Sequence, residues 1–319
     1  MTTLWFVLRR LAQAVVVVWA AWTFSFIILF LLPGDPALNL VAGGDMGQIV
    51  DEDELARVRA QHGLDQPFIV QYATRLLAAL RGDLGVSMIT GRPVTDIIGE
   101  GLPSTLMVIG GALLIGSIVG ALLALVATFV RTGWLRGILL ALPPFGISLP
   151  TFWVGLMLIQ FFSFQLRVLP PTGNAGFASL VMPWLTLALP TAATVGQVLA
   201  KSLATVQGEA FVTTARAIGM RRAVIHFRDI FRNAAIPAVT IAGVVVASLL
   251  GGAIVIENVF SRTGIGRATV QAVLGRDIAV VQGVVVFGAV LFVLVSLVVD
   301  LIYPLIDPRL RSTLKGGAR

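Results

Sequence analysis

The sequence predicts an all-α protein that crosses a membrane six times, judging from its composition, its apolar runs and its charge distribution. Of its 319 residues, 57% are hydrophobic and only 12% are charged, and the mean hydropathy is +0.94. A soluble domain has about 25% charged residues. The net charge of +7 is therefore interpreted as the orientation signal of a polytopic membrane protein, and no nucleic-acid partner is expected.

Six apolar runs are long enough to cross a bilayer, which takes about 20 helical residues. They cover 11–32, 103–130, 137–166, 180–200, 236–256 and 280–306. A cleavable signal peptide is the alternative for the first run, but its apolar core is too long and no small-x-small cleavage site follows it. We expect a retained helix there. The third and fourth runs contain prolines that predict kinks: Pro143, Pro144, Pro150, Pro183 and Pro190.

The basic residues indicate the orientation of these spans. The segments 1–10, 131–136, 201–235 and 307–319 hold 14 of the 23 lysine and arginine residues, whereas the loop 33–102 holds ten acidic residues and five arginines. By the positive-inside rule, both termini and the loop 201–235 are predicted to be cytoplasmic. The loops 33–102 and 257–279 are then periplasmic, and 307–319 is a cytoplasmic tail.

The loop 33–102 is predicted to contain two helices. The stretch "DEDELARVRAQHGL" places acidic residues in a first helical turn and Gly63 at the C-terminal stop. A second helix begins with Asp65 as its cap and ends at Gly82. Its apolar face consists of Phe68, Tyr72, Leu76 and Ala79. This helix is expected to lie on the outer membrane surface or to cap the bundle.

Small residues recur at four-residue spacing within two of the spans. They are Ala112, Gly116 and Gly120 in the second span, and Gly243, Ala247 and Gly251 in the fifth. Such stripes let helix backbones approach closely in a bilayer. Packing inside the bundle is the favoured interpretation, and a dimer interface is the alternative.

The chain carries few groups that could perform chemistry. It has no cysteine, only His62 and His226 as imidazoles, no phosphate-binding loop and no G-x-S-x-G motif. No catalytic residue, metal site or cofactor of its own is expected. Asp300 is the one ionisable residue well inside a span, and a structural pairing with an arginine is favoured over ion coupling. The membrane part is thus predicted to be a passive pathway powered from elsewhere.

The polar stretch between the fourth and fifth spans is long and carries five arginines between 211 and 237. Its pattern predicts a short helix over 209–217, a break at Gly219 and a second helix over 221–233. The second helix has separate apolar and arginine faces, so it could lie on anionic lipid. The spacing of Ala215 and Gly219 instead favours close protein contact, and the two interpretations remain open at this point.

Several motifs resemble those of one family. "TARA-x-G" at 214–219 and "FRNAAIP" at 231–237 resemble the cytoplasmic EAA loop of ATP-binding-cassette importer permeases of the dipeptide/oligopeptide/nickel group. The likeness covers nearly the whole chain. It includes "LLPGDPA" (31–37), "GLDQP" (63–67), "RGDLGVS" (81–87), "GRPV" (91–94), "GGAIVIENVFSRTGIGR" (251–267), "RDIAVVQG" (276–283) and "VDLIYPLIDPRLR" (299–311).

The resemblance implies a type I ABC importer transmembrane domain of a bacterial inner membrane, with a core over about 100–306. It implies a permease that imports di- or oligopeptides or a peptide-like solute such as glutathione or a nickel complex. The expected partners are a second homologous permease in a heterodimer, two cytoplasmic ATPase subunits that bind ATP and Mg²⁺, an external solute-binding protein, and membrane lipid.

The resemblance also implies which residues couple this chain to the ATPases: Glu209, Phe211, Thr214, Ala215, Arg216, Ala217 and Gly219. The family signature is Glu-Ala-Ala-x-x-x-Gly, whereas Thr213, Thr214 and Ala215 precede Gly219 here. The group commonly has arginine where this chain has Thr213 and lysine where it has Ile218. A less acidic groove is therefore expected on the partner ATPase.

The fifth run and the last outer loop supply candidates for the translocation path or an outer gate: Ser248, Glu257, Asn258 and Arg262. Arg262-Thr263 stands where Trp-Pro is common in the group. Arg262 either meets a substrate carboxylate or the binding protein, or is an ordinary solvated loop arginine.

Two other classes of function remain as alternatives. An ion-coupled secondary carrier would transport its substrate in proteoliposomes without any ATPase. A membrane scaffold or receptor would show no substrate-dependent ATP hydrolysis when it is reconstituted with its partners.

Overall fold

The computed structural model describes residues 3–31, 34–41 and 51–306, and its regular structure there is helical apart from one bridge between Val86 and Pro93. The predicted tail 307–319 lies outside the described residues. The helices are α1 (Thr3–Leu31), α2 (Pro36–Val41), α3 (Glu52–Gln61), α4 (Phe68–Leu80), α5 (Val94–Phe129), α6 (Gly133–Ser148), α7 (Thr151–Leu158), α8 (Ala178–Val206), α9 (Ala210–Ala217), α10 (Arg222–Val224), α11 (Phe231–Val259), α12 (Ile265–Leu274) and α13 (Ile278–Ile306). The prediction of an all-α protein is confirmed.

Five of the described helices are long and apolar enough to cross a membrane. They are Arg9–Leu31, Val94–Phe129, Ala178–Val206, Arg222–Val259 and Ile278–Val298. A sixth span exists only if the pair Gly133–Ser148 and Thr151–Gln165, bent by 98°, counts as one. The number of spans is therefore five or six.

The predicted third run is divided at Pro150, one of its three predicted interruptions, whereas Pro143 and Pro144 lie inside α6. Proline disfavours helical geometry in the residue before it. Leu149 is accordingly extended, with ψ at 128°, and α7 begins directly after Pro150. A π-helical turn, Ile159–Gln165, completes this second half.

The described chain divides into two compact units. The first contains 3–6, 106–262 and 294–306, and the second contains the remaining described residues. In the first unit, α8 is the most buried of the candidate spans. One apolar cluster of this unit includes Met182, Leu249 and Phe260, and another includes Leu203 and Val212.

Helices α5 and α8 approach closely through glycine. A Cβ atom on Gly120 would lie 2.5 Å from the Ala192 carbonyl oxygen and 3.0 Å from the Gly196 nitrogen. A Cβ on Gly116 would lie 2.6 Å from the Thr191 Cβ. The small-residue stripe of the second span is therefore internal packing, as predicted. The fifth-span stripe differs, because a Cβ on Gly251 would meet no described atom within 4 Å.

In the second unit, the outer helix α4 packs on α1. The Tyr72 hydroxyl lies 2.8 Å from the Thr23 hydroxyl, and the Phe68 and Phe30 ring centroids are 4.7 Å apart. Helix α4 thus contacts α1 through Phe68 and Tyr72 of its predicted apolar face. The prediction that Asp65 caps it is wrong, since Pro67 occupies the N-cap and no side chain caps the helix.

Three of the family-like motifs converge in this second unit. Ser87 Oγ donates a 2.5 Å hydrogen bond to Asp277 Oδ2, which joins the loop after α4 to the turn between α12 and α13. The Arg276 guanidinium packs on Gly34, where a Cβ atom would lie 1.4 Å from Arg276 Nη1. The motifs "LLPGDPA", "RGDLGVS" and "RDIAVVQG" therefore stabilise one another.

Candidate functional site

Helix α9 carries the residues that were predicted to couple this chain to an ATPase. Glu209 is its N-cap residue, and Phe211, Thr214, Arg216 and Ala217 are exposed. Ala215 is half-buried. Ile218, which ends the helix, is 72% exposed. The structure thus gathers the predicted residues on one short helix whose outer surface has apolar and basic side chains.

One side chain anchors α9 to the first unit. Val212 is 0% exposed and packs in a cluster with Leu203 of α8 and with Ile225 and Ile230, which precede α11. An eight-residue helix is marginal in water, because nucleation is costly and few hydrogen bonds follow. The burial of Val212 therefore does much to hold this helix in place.

The C-terminus of α9 is closed by a glycine motif. The Gly219 N–H donates to the Arg216 carbonyl and the Met220 N–H to the Ala215 carbonyl, both at 3.1 Å. These are the two bonds of a Schellman motif, which requires a left-handed residue. Gly219 has φ of +81°. The predicted break at Gly219 is confirmed, and it fixes where the exposed helix stops.

The stretch that follows α9 is not the separate surface helix that was predicted over 221–233. Helix α10, a π-helical turn (Ile225–Ile230) and α11 form one continuous helix, Arg222–Val259. Ile225 and Ile230 are each 2% exposed. Val224 and Phe227 of its apolar side are exposed, so contact of this segment with lipid stays a prediction. The segment is the beginning of a span.

A polar network that sequence reasoning missed joins three segments beneath α9. His226 is buried, and its Nε2 donates to the Leu125 carbonyl of α5 at 3.1 Å. Gln207 Nε2 lies 3.3 Å from His226 Nδ1 and donates to the Thr128 carbonyl at 3.3 Å. A neutral imidazole with its proton on Nε2 satisfies both contacts. No group of metal-binding residues occurs in the part of the chain that is described.

The outer candidates separate into two environments. Ser248 lies on an exposed face of α11, whereas Glu257 is 0% exposed. Asn258 donates back to the Ile254 carbonyl at 2.7 Å within the same helix. The four predicted outer residues therefore do not form a single site.

Arg262 is 2% exposed, so the interpretation as a solvated loop arginine is wrong. Its Nη1 donates to the carbonyl oxygens of Gly173 and Ser179 and to Ser179 Oγ, each at 3.1 Å. Burial lowers the pKa of the Arg262 guanidinium, and the charge of Glu257 opposes that shift. Arg262 thus ties the loop after α7 to the end of α11.

Asp300 lies on the described backbone of α13, but its side chain is outside the part that the structure describes. Its predicted structural pairing stays a prediction.

Comparisons with known proteins identify the family. The description "Binding-protein-dependent transport system inner membrane component" matches residues 112–312. The description "Binding-prot-dependent transport system membrane comp, N-term" matches residues 3–109. Together the two matches cover nearly all of the described helices.

Curated relatives match over almost their full length. The chain is 34% identical over 313 residues to a putative peptide transport system permease protein of Brucella abortus (strain 2308), covering 96% of this chain and 98% of that protein. It is 35% identical over 306 residues to the glutathione transport system permease protein GsiC of Escherichia coli (strain K12), with the same coverage.

A solved structure shares the fold. A chain of the MetNI methionine ABC transporter in an inward-facing conformation matches with a TM-score of 0.58 and 18% identity, covering 67% of this chain and 97% of that one. The relatives and both family matches agree with the apolar spans of this chain. This chain belongs to the family of inner-membrane permease components of binding-protein-dependent transport systems, and it is a multi-pass membrane protein.

Proposed function

We propose that this permease imports short peptides or a peptide-like solute, and that α9 docks into a groove of an ATPase subunit. The observation that carries the proposal is the exposure of Phe211, Arg216 and Ile218 on a short helix that the burial of Val212 anchors. Phe211 is 40% exposed and Ile218 is 72% exposed, so α9 and its C-cap present apolar surface together with the Arg216 charge. The names of the peptide and glutathione relatives support the substrate class.

The orientation follows from the same assignment. Six spans, with both termini and the coupling segment 201–235 in the cytoplasm, agree with the excess of basic residues in those segments. The loops 33–102 and 257–279 then face the periplasm, where a solute-binding protein delivers the substrate. The sequence has no phosphate-binding loop. ATP and Mg²⁺ are therefore bound by two partner ATPases, while a second permease completes the path.

The exposed face of α11 is the best candidate for the wall of that path. Val244, Ser248, Gly251 and Val255 recur at helical spacing and are all exposed in this chain. Ser248 supplies a hydroxyl among small and apolar neighbours, which suits passage of varied peptides without tight binding. Arg262 is assigned to loop positioning instead, because its guanidinium is buried against carbonyl oxygens.

The partner groove is proposed to be more apolar than is usual in the group. Ile218 and Thr213 stand at the exposed positions where lysine and arginine are common. Burial of Ile218 in an apolar groove would add binding free energy, whereas an acidic groove would gain no binding free energy from this side chain. The subunit contact of this transporter is thus expected to depend less on salt.

The test is co-purification and ATP hydrolysis of the assembled transporter. The double substitution Phe211→Ala and Arg216→Ala removes an aromatic and an arginine, the residue types that dominate interface energies. We expect ATPase subunits to be lost, or their stimulation by loaded binding protein to fall at least 30-fold if about 2 kcal/mol is lost. Membrane insertion should be unchanged.

The matched control is Arg131→Ala, which removes an exposed arginine of another basic segment. It should retain both the ATPase subunits and the stimulated hydrolysis. Normal stimulation in the double variant would contradict the docking assignment. Uptake into proteoliposomes that contain the permease without ATPases would instead support the carrier alternative.

A further inference from the structure

A cavity of about 270 Å³ lies where the ends of α5 and α8 meet the beginning of α6. Helix α6 contributes Arg136, Leu139 and Leu140 at helical spacing, and α8 contributes Ala200 and Lys201. All of these residues belong to the first compact unit. The cavity therefore has two basic side chains at its edge and apolar walls between them.

The cavity exists because its floor is made of small residues. Ala124 and Ala127 of α5 face Gly196 and Ala200 of α8, next to the close approach at Gly120. Larger side chains on either helix would fill this space. The space is thus a property of the glycine-mediated crossing of α5 and α8.

The charge of the cavity favours an anion. Arg136 and Lys201 both line it, and no carboxylate is among its lining residues. Within the described chain, neither side chain takes part in an ion pair or a side-chain hydrogen bond. Two cations without a countercharge at the end of apolar helices attract a phosphate group.

The leucine walls of the cavity and a nearby exposed tryptophan favour a lipid over a free anion as the ligand. Leu139 and Leu140 continue the cavity along α6, and Trp134, in its first turn, is 69% exposed. Exposed tryptophan is enriched at the depth of lipid headgroups. A free phosphate would leave the leucine walls uncovered, whereas an acyl chain would cover them.

We propose that this cavity binds an anionic phospholipid, with its phosphate between Arg136 and Lys201 and an acyl chain against Leu139 and Leu140. Basic pockets between membrane helices on the cytoplasmic side are known to bind anionic headgroups. The inference rests on the proposed function for its cytoplasmic orientation. The lipid would stabilise the end of α8, from which the chain leads directly into α9.

The test is a lipid titration of the purified full chain, which needs no ATPase partner. Binding of phosphatidylglycerol and phosphatidylcholine is measured by native mass spectrometry in a zwitterionic detergent. The variant Arg136→Gln/Lys201→Gln should bind phosphatidylglycerol about 30-fold more weakly, since each basic residue near a membrane surface contributes roughly fivefold. The charge-preserving variant Arg136→Lys/Lys201→Arg should stay within about threefold of the original chain, because both cations remain.

The control Arg131→Gln/Arg221→Gln removes two exposed arginines that do not line the cavity. It should leave phosphatidylglycerol affinity unchanged. Equal losses in both double variants, or equal affinity of the original chain for the two lipids, would overturn the proposal. Displacement of the lipid by millimolar inorganic phosphate would also overturn it, because the site would then be one for a free anion. A failure of ATPase docking would leave this titration unchanged, so the two proposals fail separately.

Discussion

Replacing Gly219 should loosen α9 through backbone conformation alone. Gly219 has φ of +81°, and a Cβ atom at this position would meet nothing within 4 Å. Steric clash with neighbours is therefore absent, and the cost of a substitution comes from the left-handed backbone. That cost is about 1–2 kcal/mol for an ordinary residue and is worst for a β-branched one, whereas asparagine tolerates this region.

The size of the effect depends on the few interactions that stabilise α9. The helix has eight residues, and full burial of one valine contributes about 1.5–3 kcal/mol. A loss of about 1–2 kcal/mol is thus comparable with the whole anchoring contribution of Val212. Gly219→Val should raise the unwound fraction of α9 about 5–30-fold.

Hydrogen exchange measures this fraction directly. The Ile218 and Met220 amides, which bond to the Thr214 and Ala215 carbonyls, should exchange about 5–30-fold faster in Gly219→Val. ATP hydrolysis stimulated by loaded binding protein should fall in parallel. Gly219→Asn should stay close to the original protein in both measurements. Equal behaviour of the valine and asparagine variants would refute the reasoning, since it would remove backbone strain as the cause.

Three further substitutions test the packing of the first unit, each read as the thermal or denaturant stability of the purified chain. Gly120→Ala should lower the free energy of unfolding by about 1–3 kcal/mol through overpacking. Its control, Gly110→Ala, has open space at the added Cβ and should be neutral or slightly stabilising. Equal effects of the two substitutions would contradict the close crossing of α5 and α8. Val212→Ala should lower the free energy of unfolding by about 1.5–3 kcal/mol and increase proteolysis within α9. A loss of stability below about 0.5 kcal/mol would show that the Val212 side chain does not anchor the helix. Arg262→Met should lower the free energy of unfolding by about 3–5 kcal/mol, because Glu257 loses the nearby positive charge. Adding Glu257→Gln should restore part of this stability. Additive losses in the double variant would exclude charge coupling between the two residues.

The apolar spans could be predicted from the sequence because hydropathy reports the bilayer directly. The helices extend beyond the apolar runs that they contain. The helix that contains the second run begins at Val94 rather than 103, and the one that contains the fifth begins at Arg222 rather than 236. Hydropathy marks only the apolar part of a helix, and Pro237 lies inside the helix that contains the fifth run. The break in the third span could not be placed from hydropathy, because hydropathy does not show which proline interrupts the helix.

The exposed helix α9 could also be predicted, since a break at glycine is a local signal. The burial of Arg262 could not. An arginine in a loop is usually solvated, and its carbonyl acceptors lie 83 and 89 residues away in the chain. The His226 contact with Leu125 likewise depends on the packing of two distant helices. Hydrogen bonds between residues that are far apart in the chain produce no periodic pattern in a single sequence, so they could not be predicted.

If α9 docks as proposed, the continuous helix Arg222–Val259 would link it to the proposed wall of the path without a flexible connection. Val212 packs with Ile225 and Ile230, and these residues begin the helix that later presents Ser248 on its exposed face. A helix rises 1.5 Å per residue, so Ile225 and Ser248 are about 35 Å apart on one rigid element. The separate surface helix predicted from sequence would have placed a hinge between them. Because the side chains under α9 form one buried cluster, we expect a displacement of α9 to move the start of this helix and, with it, the face that carries Ser248.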